Sequence, residues 1–344
     1  MNHTDESKTL FAQALWLASL CLLFLVCSAV VSVRLASACR SLAVTHLSHS
    51  NDKLMFVGPA AQSPSPSPSP TPSPNDIFLV DVTTENGRMN LGRPLRITDW
   101  AGYNNQPFFL PDGNALLYTS IRRDKQADIY KYDLKSRTTT RITDTAESEF
   151  SPTLTPDGRF ISVVRVEADL TQRLWKFPLA GGKPMLVLER IKPVGYHTWI
   201  DPYTVALFVL GKPNTLQIVD VRTEAAEVIA ENIGRTTRRI PGKSKLSFVH
   251  KVSDQEWIIK TLDLGTHQIA PLIRTLSGSE EYAWTPSGIL LAAKGSKLFA
   301  WQPDSDKDWG EVRDFAQAGL NGITRMAITN DGRRLAIVAQ RSVP

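Results

Sequence analysis

The chain has 344 residues, of which 42% are apolar and 21% charged, so it holds enough hydrophobic material for one large or two ordinary domains and too little charge for a disordered polymer. Its 39 basic and 34 acidic residues leave a formal charge of +5 scattered along the sequence, which excludes the clustered basic face of a nucleic-acid binder. All three cysteines, Cys21, Cys27 and Cys39, lie near the N-terminus, so neither an internal disulfide nor a cysteine-ligated metal can brace the remainder.

In chain order, residues 1–9 form a short N-terminal tail. Residues 10–33 carry no charge over 24 positions, about 36 Å as a helix and enough to cross a hydrocarbon core of about 30 Å. This predicts one transmembrane helix. The alternative is a signal peptide, because Ala36-Ser37-Ala38 has the small-x-small form of a cleavage site, although secretory apolar cores run only about 7 to 15 residues. Residues 34–62 form a juxtamembrane segment with a possible strand at 53–57. Residues 63–74 alternate Ser or Thr with Pro and hold six of the 22 prolines, which gives an extended, semi-stiff spacer or a loop joining two paired strands. The expected arrangement is a single-pass membrane protein with the remainder on the extracytoplasmic side, although Lys8 before the span and Arg34 and Arg40 after it give a weak charge signal slightly adverse to that orientation.

From residue 75 onward the sequence repeats. Each copy has an apolar stretch, a Pro-Asp-Gly-like turn and a second apolar stretch. The strongest are Phe108-Phe109-Leu110-Pro111-Asp112-Gly113 and Leu154-Thr155-Pro156-Asp157-Gly158, and weaker copies occur at Asp201-Pro202, Pro241-Gly242, Pro286-Ser287-Gly288 and Asn330-Asp331-Gly332. The markers at 111, 156, 201, 241, 286 and 330 are spaced by 45, 45, 40, 45 and 44 residues. Proline and glycine at these positions are the chemistry of a tight hairpin. After the second strand comes a third with period-two alternation, as in Asp128-Ile129-Tyr130-Lys131-Tyr132-Asp133-Leu134, and then a fourth, in all but the last copy. Four short antiparallel strands per repeat form the blade of a β-propeller, so the predicted fold is all-β, a six-bladed propeller of four-stranded antiparallel blades over residues 75–344. The sixth marker is followed by one strand only and the first is preceded by two, so both chain ends are predicted to build the last blade.

The Pro-Asp-Gly hairpins alternating with an Asp-Ile-Tyr-x-x-Asp-Leu strand resemble the TolB-type six-bladed propeller with WD-repeat-like units, best at residues 128–134 and 76–82. The resemblance implies a periplasmic or extracellular interaction scaffold, and it transfers no partner.

Catalytic chemistry is sparse. No Gly-x-Ser-x-Gly elbow occurs, so a serine hydrolase lacks its nucleophile. Gly242-Lys243-Ser244 imitates the end of a phosphate loop, but Thr237 stands where that loop needs glycine. His46 and His49 have no carboxylate cluster beside them. Asp304, Asp306 and Asp308 alternate in a loop where calcium could collect oxygen ligands, but Trp309 and Phe315 occupy the glycine and glutamate positions of a calcium loop, which favours a solvated acidic tip. No other cofactor is expected.

The starts of the innermost strands are predicted to line the channel mouth, placing Asn105, Glu149, His197, Arg238, Glu281, Tyr282 and Arg325 there. Arg235, Arg238 and Arg239 against Glu147, Glu149, Glu280 and Glu281 give that mouth a basic and an acidic side, suited to steering a polypeptide. The favoured reading is a monomeric, membrane-tethered, non-enzymatic scaffold that binds protein or peptide. The alternatives are a propeller lyase or glycan-processing hydrolase using Glu149 and Glu281 as paired carboxylates, and an extracytoplasmic sensor domain.

Overall fold

The Pro-Asp-Gly markers are hairpins between the first and second strands of successive sheets. In the computed structural model, which describes residues 74–85 and 88–341, Gly113 and Gly158 take φ of 69° and 70°, the left-handed conformation for which glycine carries no Cβ penalty. The third copy, Ile200-Asp201-Pro202-Tyr203, has no glycine. Its turn keeps the backbone bond from the Ile200 N–H to the Thr204 carbonyl at 2.9 Å and is braced by the Asp201 carboxylate, which accepts the Tyr203 N–H at 2.8 Å. The 10–33 span, the 53–57 strand and the Ser/Thr-Pro run up to residue 73 lie outside the described residues. Among the described residues no helix is long and apolar enough to cross a membrane.

The strands form six antiparallel sheets. Blade 1 is built from Asn104–Phe109, Ala115–Ile121, Ala127–Asp133 and Thr138–Arg141. Blades 2 to 5 begin with Ser148–Leu154, Val194–Trp199, Ile233–Arg239 and Tyr282–Trp284, each followed in sequence order by three more strands. Blade 6 combines both ends of the described chain. Leu320–Ile328 and Arg334–Arg341 come from one end and Asp76–Glu85 from the other, with Arg88–Leu91 and Leu95–Arg96 pairing at its outer edge. The joint runs from Asp76 opposite Ala339 to Asp81 opposite Arg334. Closure from both ends, expected from the marker count, removes the open edge that a linear array of blades would leave.

Blade packing explains why second strands read as continuous apolar runs, whereas the fourth strands of blades 1 to 5 hold no fully buried residue. Leu116, Leu117 and Tyr118 are all fully buried, whereas Thr138–Arg141 is largely exposed. Side chains of a strand alternate between faces, and a blade is covered on both. Leu117 therefore joins Ile161, Val163 and Phe177 of blade 2, while Leu116 and Tyr118 join Ile77, Ala336 and Val338 of blade 6. Among the described residues there are six hydrophobic clusters, one in each of the six seams between neighbouring blades.

The Asp-Ile-Tyr signature has a physical role. In blade 1, Thr143 Oγ1 accepts the Ile129 N–H at 2.9 Å, and the Asp128 carboxylate receives Arg141 Nη2 at 2.6 Å and the Thr143 hydroxyl at 3.4 Å. Blade 6 repeats the arrangement, with Thr98 accepting the Ile77 N–H at 3.2 Å and donating to Asp76 at 2.7 Å. The Asp on the third strand and the Arg-Ile-Thr on the fourth are thus one latch that ties the outer strand to its blade.

Candidate functional site

The first strand of every blade faces the central axis, and most of these strands are bent. Register shifts interrupt pairing between Asn105 and Phe108, Phe150 and Thr153, Val194 and Tyr196, Ile233 and Thr237, and Asn321 and Arg325. Such bulges re-aim side chains. In blades 1 and 2 the bulged residues Gln106 and Ser151 take φ of 57° and 56°. There Gln106 Oε1 accepts the Thr119 hydroxyl and the Ser151 N–H, both at 2.8 Å, and joins the two blades. In blade 4 a Cβ on Gly234 would lie 2.5 Å from Glu280 Oε2. Only glycine allows the approach by which that oxygen accepts the Arg235 N–H at 3.1 Å.

The bulges gather a charged layer across the channel. Glu281, just before the first strand of blade 5, meets Arg235 of blade 4 at 2.6 Å and Arg325 of blade 6 at 3.2 Å. Arg325 also donates to the Tyr196 hydroxyl at 2.8 Å, with its guanidinium 5.0 Å from that ring centroid. Tyr196 belongs to blade 3, directly across the six-blade ring from blade 6, so this contact spans the axis and forms a floor. Burial opposes the charge on Glu281, yet Arg325, Arg235 and Arg238 hold its carboxyl below the usual range. Burial likewise opposes the charge on Arg325, but Glu281 and its tyrosine neighbours hold its pKa above the ordinary arginine value. Burial raises the Tyr103 hydroxyl to about 12, despite the nearby Arg325 charge.

From this floor a cavity of about 560 Å³ extends to the hairpin face, with all six first strands in its wall. Prolines 111, 156 and 241 stand at its outer end, and Phe108, Leu154, Trp284, Met326 and Ile328 supply apolar surface. Its charged lining residues are Arg235, Arg238, Arg239 and Arg325, with no Asp or Glu among them. Hairpins brace the rim: Asn330 Nδ2 donates to the Pro111 carbonyl at 3.1 Å, Thr198 Oγ1 to the Thr237 carbonyl at 2.9 Å, and Arg239 Nη1 to the Ile200 carbonyl.

The structure separates the residues expected at one mouth. His197, Arg238 and Arg325 line the cavity. Arg325 is buried in the floor, and Arg238 makes no salt bridge among the described residues, its Nη1 donating to the Thr237 carbonyl at 3.1 Å. The two arginines do not share a repeat position, because Arg238 pairs with Ser247, one step from the hairpin-closing pair, whereas Arg325 pairs with Val338, three steps away. Asn105 is buried and accepts the Gln106 N–H at 2.8 Å, propping its own bulge.

Glu149 and Glu281 occupy separate ion-pair clusters. Glu149 is fully buried against Arg165 at 3.2 Å and the Thr145 hydroxyl at 2.5 Å, and Arg165 also holds Glu147 at 2.5 Å. Burial raises the Glu149 carboxyl to about 7, in spite of these partners. With Glu147 and Glu149 on Arg165, and Glu280 and Glu281 on Arg235, the acidic side expected of the mouth is held by buried or half-buried arginines.

His197 and Tyr282 serve a repeated latch between blades. Ser247 Oγ accepts from Tyr282 at 2.9 Å and Trp284 Nε1 at 2.8 Å, and donates to the Arg238 carbonyl at 3.3 Å. Ser162 Oγ stands likewise 2.8 Å from both His197 Nε2 and Trp199 Nε1, and 3.1 Å from the Thr153 carbonyl. Burial pushes the His197 imidazole down to about 3, so it is neutral. In the acidic loop, Asp306 accepts the Gln302 N–H and Asp308 the Trp309 N–H, both at 2.7 Å. Among the described residues no three His, Cys, Asp or Glu side chains converge as a metal set.

Tyr196, Tyr103, Gln106 and Ser151 were not singled out by the sequence reading. A signal was available for two of them: Gln106-Pro107 and Ser151-Pro152 stand 45 residues apart, the spacing of the hairpin markers, and proline inside a strand marks a bulge.

No family model matches the chain, and no curated protein matches it. Solved structures do. A TolB-assigned protein from Agrobacterium tumefaciens superposes with a TM-score of 0.60 at 15% identity, covering 79% of this chain and all of that one. The fold is the TolB-type six-bladed propeller. TolB from Acinetobacter baumannii superposes with a TM-score of 0.50 at 14% identity over 78% of this chain and 65% of its own. A chain of the nidogen/laminin complex gives 0.52 at 12% identity over 78% of this chain and 100% of its own.

Proposed function

We propose that this TolB-type propeller is a non-enzymatic scaffold that binds a protein or peptide in its central cavity, at the hairpin face. The observation that carries this reading is the lining, which has four arginines, apolar and proline walls, and no carboxylate. A cavity of this size lies in the range of specific ligand sites, and uncompensated cations beside apolar surface suit an extended acidic segment. Arg238 and Arg239 are the charges available to it, since Glu281 already holds Arg235 and Arg325. The nidogen/laminin neighbour, a protein–protein complex, is consistent with a polypeptide partner.

The scaffold is tethered by residues 10–33, a reading supported by the uncharged length of that segment, and the extracytoplasmic side is proposed for the propeller from its resemblance to TolB-type propellers. Release of the full chain from membranes by a salt wash would contradict it.

A photo-crosslinking residue at Pro156, on the cavity rim, tests the binding site against the same residue at Thr139, on the outer edge of blade 1. The reading predicts adducts with a polypeptide from position 156 that are lost on adding Arg238→Glu. Equal adducts from both positions, or none from position 156, would remove the cavity as the site.

A further inference from the structure

We infer that the cavity takes the C-terminal end of a polypeptide, carboxylate first, instead of a chain threaded through the propeller. This rests on the peptide-binding reading above and specifies which part of the partner enters. The channel is blind. Arg325 of blade 6 reaches Tyr196 of blade 3 at 2.8 Å, and Glu281 joins the same guanidinium to Arg235 at 3.2 and 2.6 Å. On the other side Gln106 and Ser151 close blades 1 and 2 together at 2.8 Å. An extended chain entering from the hairpin face meets this layer and stops, so a chain end fits where a continuous strand does not.

Charge favours the same end. The layer and the wall above it present Arg325, Arg235 and Arg238, and the two carboxylates in contact with the layer are already engaged, Glu281 by Arg235 and Arg325 and Glu280 by Arg235 at 3.6 Å and Lys251 at 3.3 Å. Arg238 makes no salt bridge among the described residues. An entering carboxylate therefore finds an unmatched cation that holds a planar, forked donor set suited to it.

Hydrogen bonding completes the fit. The buried Thr236 Oγ1, Thr237 Oγ1, Ser151 Oγ and His197 Nδ1 have no hydrogen-bond partner among the described residues, and all four residues line the cavity. If the Ser162 hydroxyl donates to the Thr153 carbonyl, His197 Nε2 is the donor to Ser162 and Nδ1 is a bare acceptor. Hydroxyls, an imidazole acceptor and arginines in the lining of one cavity match a terminal residue, which brings a carboxylate and the N–H of its own peptide. The apolar wall at Phe108, Trp284 and Met326 provides for its side chain.

The test uses arrays of pentapeptides attached through their N-termini and probed with the full-length protein in detergent. The arrays carry every peptide in three forms: a free C-terminal carboxylate, a C-terminal amide, and an amide with one internal Asp. The inference predicts retention on the free-carboxylate form at least tenfold above the amide form. That difference should vanish in Arg238→Gln and be partly kept in Arg238→Lys, both with unchanged near-ultraviolet circular dichroism. Equal retention of carboxylate and amide forms, or retention only on the internal-Asp form, overturns the end-first inference and leaves peptide binding standing. Retention on none of the forms overturns both.

Discussion

Replacing Glu149 by glutamine should make the propeller more stable at pH 8 and change it little at pH 4.5. Burial raises this carboxyl from 4.5 to about 7. The folded state therefore holds a proton between those values that the unfolded state has released. Stability then falls as pH rises through this window, because the proton-binding state is the native one. A difference of about 2.5 between folded and reference values corresponds to an upper bound of roughly 3 kcal/mol lost by the wild type between pH 4.5 and pH 8. Glutamine is neutral throughout, and its amide oxygen can still accept from the Thr145 hydroxyl, now 2.5 Å from Glu149 Oε1. Arg165 loses one anion but keeps Glu147 at 2.5 Å. The net gain at pH 8 should be on the order of 1 to 3 kcal/mol, or about 3–10 °C in melting temperature for a domain of this size. Thermal melts of both proteins by circular dichroism at pH 4.5, 6 and 8 measure it. A melting-temperature difference that stays constant with pH would show that Glu149 is ionised in the fold and that the reasoning is wrong.

Three further outcomes follow from packing and hydrogen bonding. Ile337→Ala, at a fully buried position of the strand that joins the two chain ends, should cost about 2–5 kcal/mol in urea unfolding, whereas a loss below about 1 kcal/mol would contradict the closed sixth blade. Ser247→Ala strands both the Tyr282 hydroxyl and Trp284 Nε1; at about 1–3 kcal/mol for each buried donor, it should destabilise by at least about 2 kcal/mol, and near-neutral unfolding would remove the latch. Burial holds His197 at about 3 in the fold, below its unfolded value, so the stability it contributes is present above the unfolded value and is lost as pH falls from about 6.5 towards 3. His197→Asn should therefore flatten the acid limb of melting temperature against pH, and an unchanged slope there would count against a buried neutral imidazole.

The blade repeat was legible because turn chemistry and two-sided burial act locally. Pro111-Asp112-Gly113 and Leu116-Leu117-Tyr118 each state their structure within a few residues, and the marker count sufficed to close blade 6. The Asp-Ile-Tyr strand was legible as a pattern, but its partner, the Arg-Ile-Thr of the fourth strand, emerges only when Asp128 and Thr143 are brought together. The site was read less well because bulges break the count along the first strands. Arg238 and Arg325, assigned one early position, differ by two pairing steps, which sends one to the wall and the other to the floor. Tyr282 carried the same inward expectation as His197, yet its hydroxyl turns into a seam to reach Ser247. Charge counting also gave the mouth an acidic side, since sequence shows neither Arg165 under Glu149 nor Arg235 between Glu280 and Glu281.

The central claim, that the hairpin-face cavity is the binding seat, is tested most directly by the association rate of the polypeptide crosslinked from position 156. That rate should be measured against ionic strength for the wild type and for Arg238→Glu combined with Arg239→Glu. Unpaired cations at a mouth accelerate encounter with an acidic partner and lose their effect as salt screens them. The account predicts association at least about tenfold slower at low salt for the double variant, with a flattened salt dependence and an unchanged near-ultraviolet circular dichroism spectrum. The same rate and the same salt slope in both proteins would contradict it.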